Sequence, residues 1–187
     1  MSKIHKIKTP LTDDIIKELR IGDTVYLSGI IYTARDAAHK KLVELLEKGE
    51  KLPFDLKGAV IYYVGPSPAK PGMPIGSAGP TTSYRMDPYT PILLRNGLKA
   101  CIGKGNRGQD VVNSLIENKG VYLAAIGGAA ALIAKTIKNA EVIAYEELKA
   151  EAIRKLTVED FPCTVANDMY GDDLYKKGVE EFLKTKK

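Results

Sequence analysis

Apolar and polar positions change period several times along the chain, and each change marks an element. Residues 1–20 read as an extended segment followed by a short helix opening at Thr12-Asp13-Asp14, where acidic groups favour a helix start. After the turn at Gly22-Asp23, the β-branched and aromatic run Thr24 to Tyr32 predicts a strand. The period then becomes helical from Thr33 to Glu47, with Ala38, Leu42, Leu45 and Leu46 on one face and a stop at Gly49. Ala59 to Val64 is a short, continuous apolar run, the pattern of a buried strand. Further on, a helix is predicted over Pro91 to Asn96, a strand over Leu98 to Ile102, and a helix over Gln109 to Asn118. A strand follows over Val121 to Ile126, a helix over Ala129 to Lys138, and a short strand over Ala140 to Tyr145. Val158 to Ala166 reads as an edge strand and Leu174 to Lys187 as a charged terminal helix. This alternation predicts an α/β layered fold with a mostly parallel sheet.

Between the second and third strands lie 27 residues, Gly65 to Pro91, that hold seven of the ten prolines and four glycines. A stretch of this length without elements is uncommon inside a domain, and it is usually functional or disordered. Its second half, Gly79-Pro80-Thr81-Thr82-Ser83-Tyr84-Arg85-Met86-Asp87, is not low in complexity, which favours a functional loop.

Length and composition narrow the function classes. The chain has 187 residues, of which 44% are hydrophobic and 27% charged, enough for one cored soluble domain over residues 1–187. That domain is read with an N-terminal helix arm over about 1–22 and a terminal helix over about 172–187. A net charge of +5 suits anionic ligands, but it is too small and scattered to argue for nucleic acid. The longest uncharged apolar stretch, Val121 to Ala134, is broken by a glycine pair and falls short of a membrane span. No signal-peptide core stands in MSKIHKIKTP, so a cytoplasmic location is expected. Two cysteines are too few for a disulfide framework or a self-contained four-cysteine metal site.

Three segments could carry chemistry. Gly103-Lys104-Gly105-Asn106-Arg107-Gly108 fits G-x-G-x-x-G between a strand and a helix. A dinucleotide site also needs an acid at the end of the next strand, where this chain has Gly127-Gly128. The Walker pattern fails because no Ser or Thr follows at the required spacing. What survives is a loop whose backbone N–H groups and cations could bind an anion, or else a tight turn with solvated cations. In the proline-rich loop, Thr81, Thr82, Ser83 and Arg85 could grip a small oxygen-rich ligand, or merely close the loop as a hydroxyl-bonded turn. Arg35 follows a strand directly, where open α/β sheets place ligand sites, although an exposed helix arginine is the commoner case. His39, four residues on, either orients Arg35 or faces solvent. Cys101 is read as a core residue and Cys163 as partly exposed.

Tyr32-Thr33-Ala34-Arg35-Asp36-Ala37-Ala38-His39-Lys40, the Gly79 to Asp87 segment and Gly103-Lys104-Gly105 together resemble the β subunit of class I fumarate hydratase. The related L-tartrate dehydratase β subunit is similar. The resemblance spans roughly residues 10–180 and implies a swivelling β/β/α domain. It implies substrate-binding roles for Arg35, Arg85 and Lys104, and Thr81 as the catalytic residue, with Thr82, Arg107 and His39 ranked behind. It also implies a [4Fe–4S] cluster held by three cysteines on a partner α subunit, with no metal ligated by this chain, and a small dicarboxylate substrate. The expected activity is reversible hydration of fumarate to L-malate in a two-chain hydro-lyase, inactive without its partner. L-tartrate dehydration and non-catalytic binding of a small carboxylate are the alternatives; a nucleotide-dependent oxidoreductase lacks its ribose-binding acid.

Overall fold

The computed structural model describes residues 2–126 and 128–185. Four strands run parallel: β1 (Ile4–Lys8) beside β2 (Thr24–Thr33), then β3 (Val60–Tyr62) and β4 (Ala100–Gly103) in turn. β5 (Val121–Ala124) continues the parallel set beside β4. The crossover segments hold α2 (Asp36–Glu47), α3 (Thr90–Arg95) and α4 (Gln109–Glu117), as the sequence predicts; α1 (Asp13–Ile16) precedes β2, capped by the Thr12 side chain. The segment expected as an N-terminal helix arm holds the five residues of β1 as well as α1, an extended stretch and then a short helix. Only four of its residues are α-helical, because β1 finds hydrogen-bonding partners along the free edge of β2.

The larger departure is at the C-terminal end. α5 (Ala130–Thr136) stops two residues early, and β6 (Ile137–Ala144) begins at once. β7 (Ile153–Asn167) is 15 residues long and is not an edge strand. It runs antiparallel to β6, to β2 and to β5, so the sheet closes on itself from β2 round to β7. Its buried residues Ile153, Leu156, Val158, Phe161, Cys163 and Val165 twice skip three positions instead of two, and Ile153 lies on the opposite face from the other five. Register shifts in the β2 and β6 pairings and the left-handed backbone of Asp160 absorb those skips. A strand broken in period in this way does not read as one strand from sequence.

Alternation along the central strands sorts side chains into two cores. Val60, Tyr62, Ile102, Val121 and Leu123 pack inside the closed sheet with Leu27, Ile31, Phe161 and Val165. Ala59, Ile61, Tyr63, Cys101 and Tyr122 face the helices, against Leu42 of α2, Leu93 and Leu94 of α3, and Leu115 of α4. The outcome is a β/β/α layering, in line with the expected α/β class. Cys163, expected to be partly exposed, is buried because its strand is interior; Cys101 is buried as expected. The terminal helix α6 (Leu174–Lys184) is present, started by the Asp173 side chain accepting from Tyr175 and Lys176 N–H groups; residues 186–187 lie outside the described residues.

Candidate active site

The three singled-out segments meet at the carboxyl ends of β2, β3 and β4, where open α/β sheets hold ligands. Arg35 is the residue before α2, with extended backbone, at the point where β2 turns into the helix. The long loop returns to the sheet at Thr81, whose N–H donates to the Tyr63 carbonyl just past β3. Thr82 then bridges Lys104 just past β4, with the Ser83 N–H donating to the Lys104 carbonyl at 2.9 Å. Ser83–Met86 forms a 3₁₀ turn that carries Arg85. The loop expected to be functional is therefore ordered by strand-like bonds at both sheet ends.

Two of the expected cations come together on a carboxylate. Arg85 Nε lies 2.9 Å from Asp36 Oδ1, and Arg35 Nη2 lies 3.7 Å from Asp36 Oδ2. Glu151 flanks the pair, with Oε1 at 3.5 Å from Arg35 Nη2 and Oε2 accepting from the Ala37 N–H at 3.1 Å. Arg35 is not the solvated helix arginine that was the commoner expectation: its side chain is only 20% exposed and lies against Gly65. Lys104 is exposed and forms no ion pair among the described residues. Thr81 and Thr82 are half-buried, and their hydroxyls make no hydrogen bond among the described residues. Thr81, Thr82, Arg85 and Lys104 thus lie on an open shelf.

Beneath the shelf is a buried polar layer that sequence reading did not assemble. Arg107 is fully buried, with Nε donating to Asp87 Oδ1 at 2.7 Å, Nη2 donating to Thr90 Oγ1 at 2.8 Å and Nη1 reaching the Tyr63 hydroxyl at 3.5 Å. Its guanidinium also stands 4.9 Å from the centre of the Tyr122 ring. Three of the five Arg107 N–H groups are thus engaged within the chain, and its side chain is covered from solvent. The Tyr122 hydroxyl donates to the Gly105 carbonyl and contacts Ser83 Oγ at 2.9 Å. His39 is fully buried rather than facing solvent. Its Nδ1–H donates to the Arg35 carbonyl at 2.9 Å, and burial pushes its pKa down to about 4, so it is neutral at pH 7. It bonds to the backbone of Arg35, one helical turn earlier.

The glycine loop owes its glycines to packing. A Cβ at Gly103 would collide with Ser83 Oγ, and Gly105 turns with φ +82°. The Gly108 N–H at the start of α4 donates to Asp87 Oδ2 at 2.7 Å. An anion does sit at this helix start, as the loop predicts, but it is the chain's own Asp87 carboxylate. The Gly105 N–H points to the Tyr175 hydroxyl at 3.2 Å, so the loop is occupied from within on both sides.

This arrangement can be set against known proteins. A model of the family described as Fumarase C-terminus matches residues 2–178. The chain belongs to the Fumarase C-terminus family. Among its relatives, it is 41% identical over 168 residues to the anaerobic class I fumarate hydratase of Escherichia coli K12, covering 89% of this chain and 31% of that protein. It is 40% identical to fumarate hydratase 2 of Leishmania major, over 87% of this chain and 29% of that protein. A putative L(+)-tartrate dehydratase subunit beta of Methanocaldococcus jannaschii is also 40% identical, with 89% of each chain covered. The chain thus spans about a third of the length of the fumarate hydratases it matches, and most of the tartrate dehydratase subunit.

The cysteines of this Fumarase C-terminus chain are poorly placed for a cluster. Cys101 lies in the helix-facing core and Cys163 inside the closed sheet. Burial pushes both thiols up, away from the thiolate form that metals bind. Among the described residues, no group of three or more His, Cys, Asp or Glu could hold a metal ion. Likewise, among the described residues no helix is long and apolar enough to cross a membrane.

Sequence reading named Arg35, Thr81, Arg85 and Lys104 but missed Asp36, Asp87 and Glu151. Asp36 and Asp87 stand inside the quoted segments and were within reach. Glu151 comes from a 3₁₀ segment (Glu146–Glu151) far along the chain, where nothing local signals it.

Proposed function

We propose that this chain is the β subunit of a two-chain hydro-lyase that interconverts fumarate and L-malate, and that it supplies the cations for the substrate carboxylates. The observation that carries the reading is the arginine pair on Asp36, on one shelf with the Lys104 ammonium and the Thr81 hydroxyl, which have no partner among the described residues. A short diacid carries two carboxylates, and removing the proton next to one of them builds further negative charge onto its oxygens. Arg35, Arg85 and Lys104 act there as binding and charge-stabilising groups. The open shelf suits a site completed by a second chain, and the family match over about a third of the longer relatives supports the same division.

The iron–sulfur cluster belongs to that partner, because this chain's cysteines do not fit it. Such a cluster, held by the partner, would supply Lewis-acid chemistry that this chain's residues do not provide. From this chain, Thr81 moves the proton between its hydroxyl and the carbon next to the carboxylate. An alcohol is too weak a base alone, so the neighbouring cations must favour its deprotonated form. His39 and Arg107 hold backbone and loops from below and touch no substrate.

Tartrate dehydration is the second reading, favoured by one observation: the match to the tartrate dehydratase relative covers 89% of both chains. Both diacids place two carboxylates on a four-carbon chain. Anaerobic co-expression with a cysteine-bearing partner, then separate assays with fumarate, L-malate and tartrate, tests both. Turnover of the first two alone supports fumarate hydratase, and tartrate turnover alone supports the second reading.

A further inference from the structure

Asp36 does more than start a helix. Its carboxylate lies between two guanidinium groups and is largely covered, and Oδ2 makes no hydrogen bond. Arg35 is fixed from several sides, by Asp36, by Glu151 and by Gly65 pressed against its Nη1. Among the described residues, Arg85 is fixed by Asp36 alone. It uses Nε for that bond, is 44% exposed, and its two terminal nitrogens have no partner among the described residues. A guanidinium held through Nε keeps its Nη1/Nη2 fork open for an end-on carboxylate.

We propose that Asp36 is the positioning residue of this site. It holds Arg85 by the Nε edge, so that the fork of Arg85 presents to a ligand carboxylate at a fixed spacing from Arg35. The proposal rests on the hydro-lyase reading above and deepens it. Asp36 touches no substrate and acts through Arg85. Without its charge, two like-charged guanidiniums face each other, and Arg85, with no other tether, turns out toward solvent.

The test is a double-mutant cycle in the assembled enzyme, with L-malate dehydration as the assay. Asp36→Asn keeps the shape and an acceptor oxygen but removes the charge. It should lower kcat/KM about tenfold or more in the wild-type background, with an unchanged melting temperature. In an Arg85→Ala background the same change should alter kcat/KM by less than about threefold, because a residue acting through Arg85 loses its route when Arg85 is gone. Independent losses in the two backgrounds overturn the assignment, as does wild-type kcat/KM in Asp36→Asn while Arg85→Ala is impaired. Full activity in Arg85→Ala itself removes Arg85 from the site and overturns this assignment, whereas an assembled wild-type enzyme inactive toward L-malate overturns the hydro-lyase reading instead. A readout free of activity is the Arg85 Nε–Hε signal in ¹⁵N NMR of the full chain. It should be slow to exchange in the wild type and fast in Asp36→Asn, and protection that persists in Asp36→Asn contradicts the proposal.

Discussion

Arg85 Nε and Asp36 Oδ1 stand 2.9 Å apart, joining a loop residue to the first residue of α2. That bond ties together two segments that the chain separates by β3 and most of the proline-rich loop. The helix start favours a carboxylate at Asp36, and the carboxylate in turn gathers Arg35 and Arg85. The fold thus gathers two arginines on one carboxylate and leaves the Arg85 fork without a partner among the described residues.

Removing these cations one at a time should cost activity without unfolding the chain. Arg35→Ala, Arg85→Ala and Lys104→Ala should each lower kcat/KM of the assembled enzyme by about 30- to 1,000-fold, the range of one lost charge-assisted contact, roughly 2–4 kcal/mol. Steady-state kinetics beside a circular-dichroism melt checks each variant. Wild-type turnover in any one removes that residue from the site.

Thr81 separates proton transfer from binding. Thr81→Val keeps the shape and should collapse kcat with little change in KM, while Thr81→Ser should retain much of the activity. A raised KM with normal kcat in Thr81→Val would instead make the hydroxyl a carboxylate binder. Equal mild losses in both variants would assign it to packing.

The parallel strands, their crossover helices and the three site segments were legible because each keeps a clean local period or a distinctive cluster of residues. The Gly79 to Asp87 segment stood out by its density of hydroxyls and its arginine. What was not legible depends on contacts between distant residues. β7 hides behind two breaks in its alternation, and its interior place depends on β2 and β5. Arg107 was read as a second-rank candidate, and only the fold shows it buried and bonded to Asp87, Thr90 and Tyr63. The glycine loop matched a nucleotide pattern for a packing reason, since Gly103 makes room for Ser83.

The Asp87–Arg107 pair should carry stability rather than chemistry. Arg107 is fully buried and Asp87 only 20% exposed, so Asp87→Ala leaves a buried cation without its counter-charge, at a cost of about 3 kcal/mol. Asp87→Asn keeps an acceptor oxygen and should cost less. Urea unfolding of the isolated chain measures both, and a loss below about 1 kcal/mol for Asp87→Ala would make the pair no stronger than a surface bridge.

His39 gives the fold an acid-sensitive component. Its pKa falls from 6.5 to about 4 on burial, so between those values the unfolded chain binds a proton that the folded chain does not. This component is fully present above pH 6.5 and is lost as pH falls toward 4; it amounts to about 2 kcal/mol lost by pH 5. His39→Gln should lose less stability than the wild type between pH 7 and pH 5 in urea titrations. Equal losses in the two proteins would mean that His39 titrates normally in the folded chain.

The division of the site between two chains is tested most directly by purifying this chain anaerobically, alone and with a co-expressed cysteine-bearing partner, and assaying L-malate dehydration and iron content in both. The account predicts no turnover and no stoichiometric iron–sulfur absorbance from the chain alone, and both from the pair. Turnover or a stoichiometric cluster in the isolated chain would contradict it, as would an iron-loaded pair inactive toward every four-carbon diacid tested.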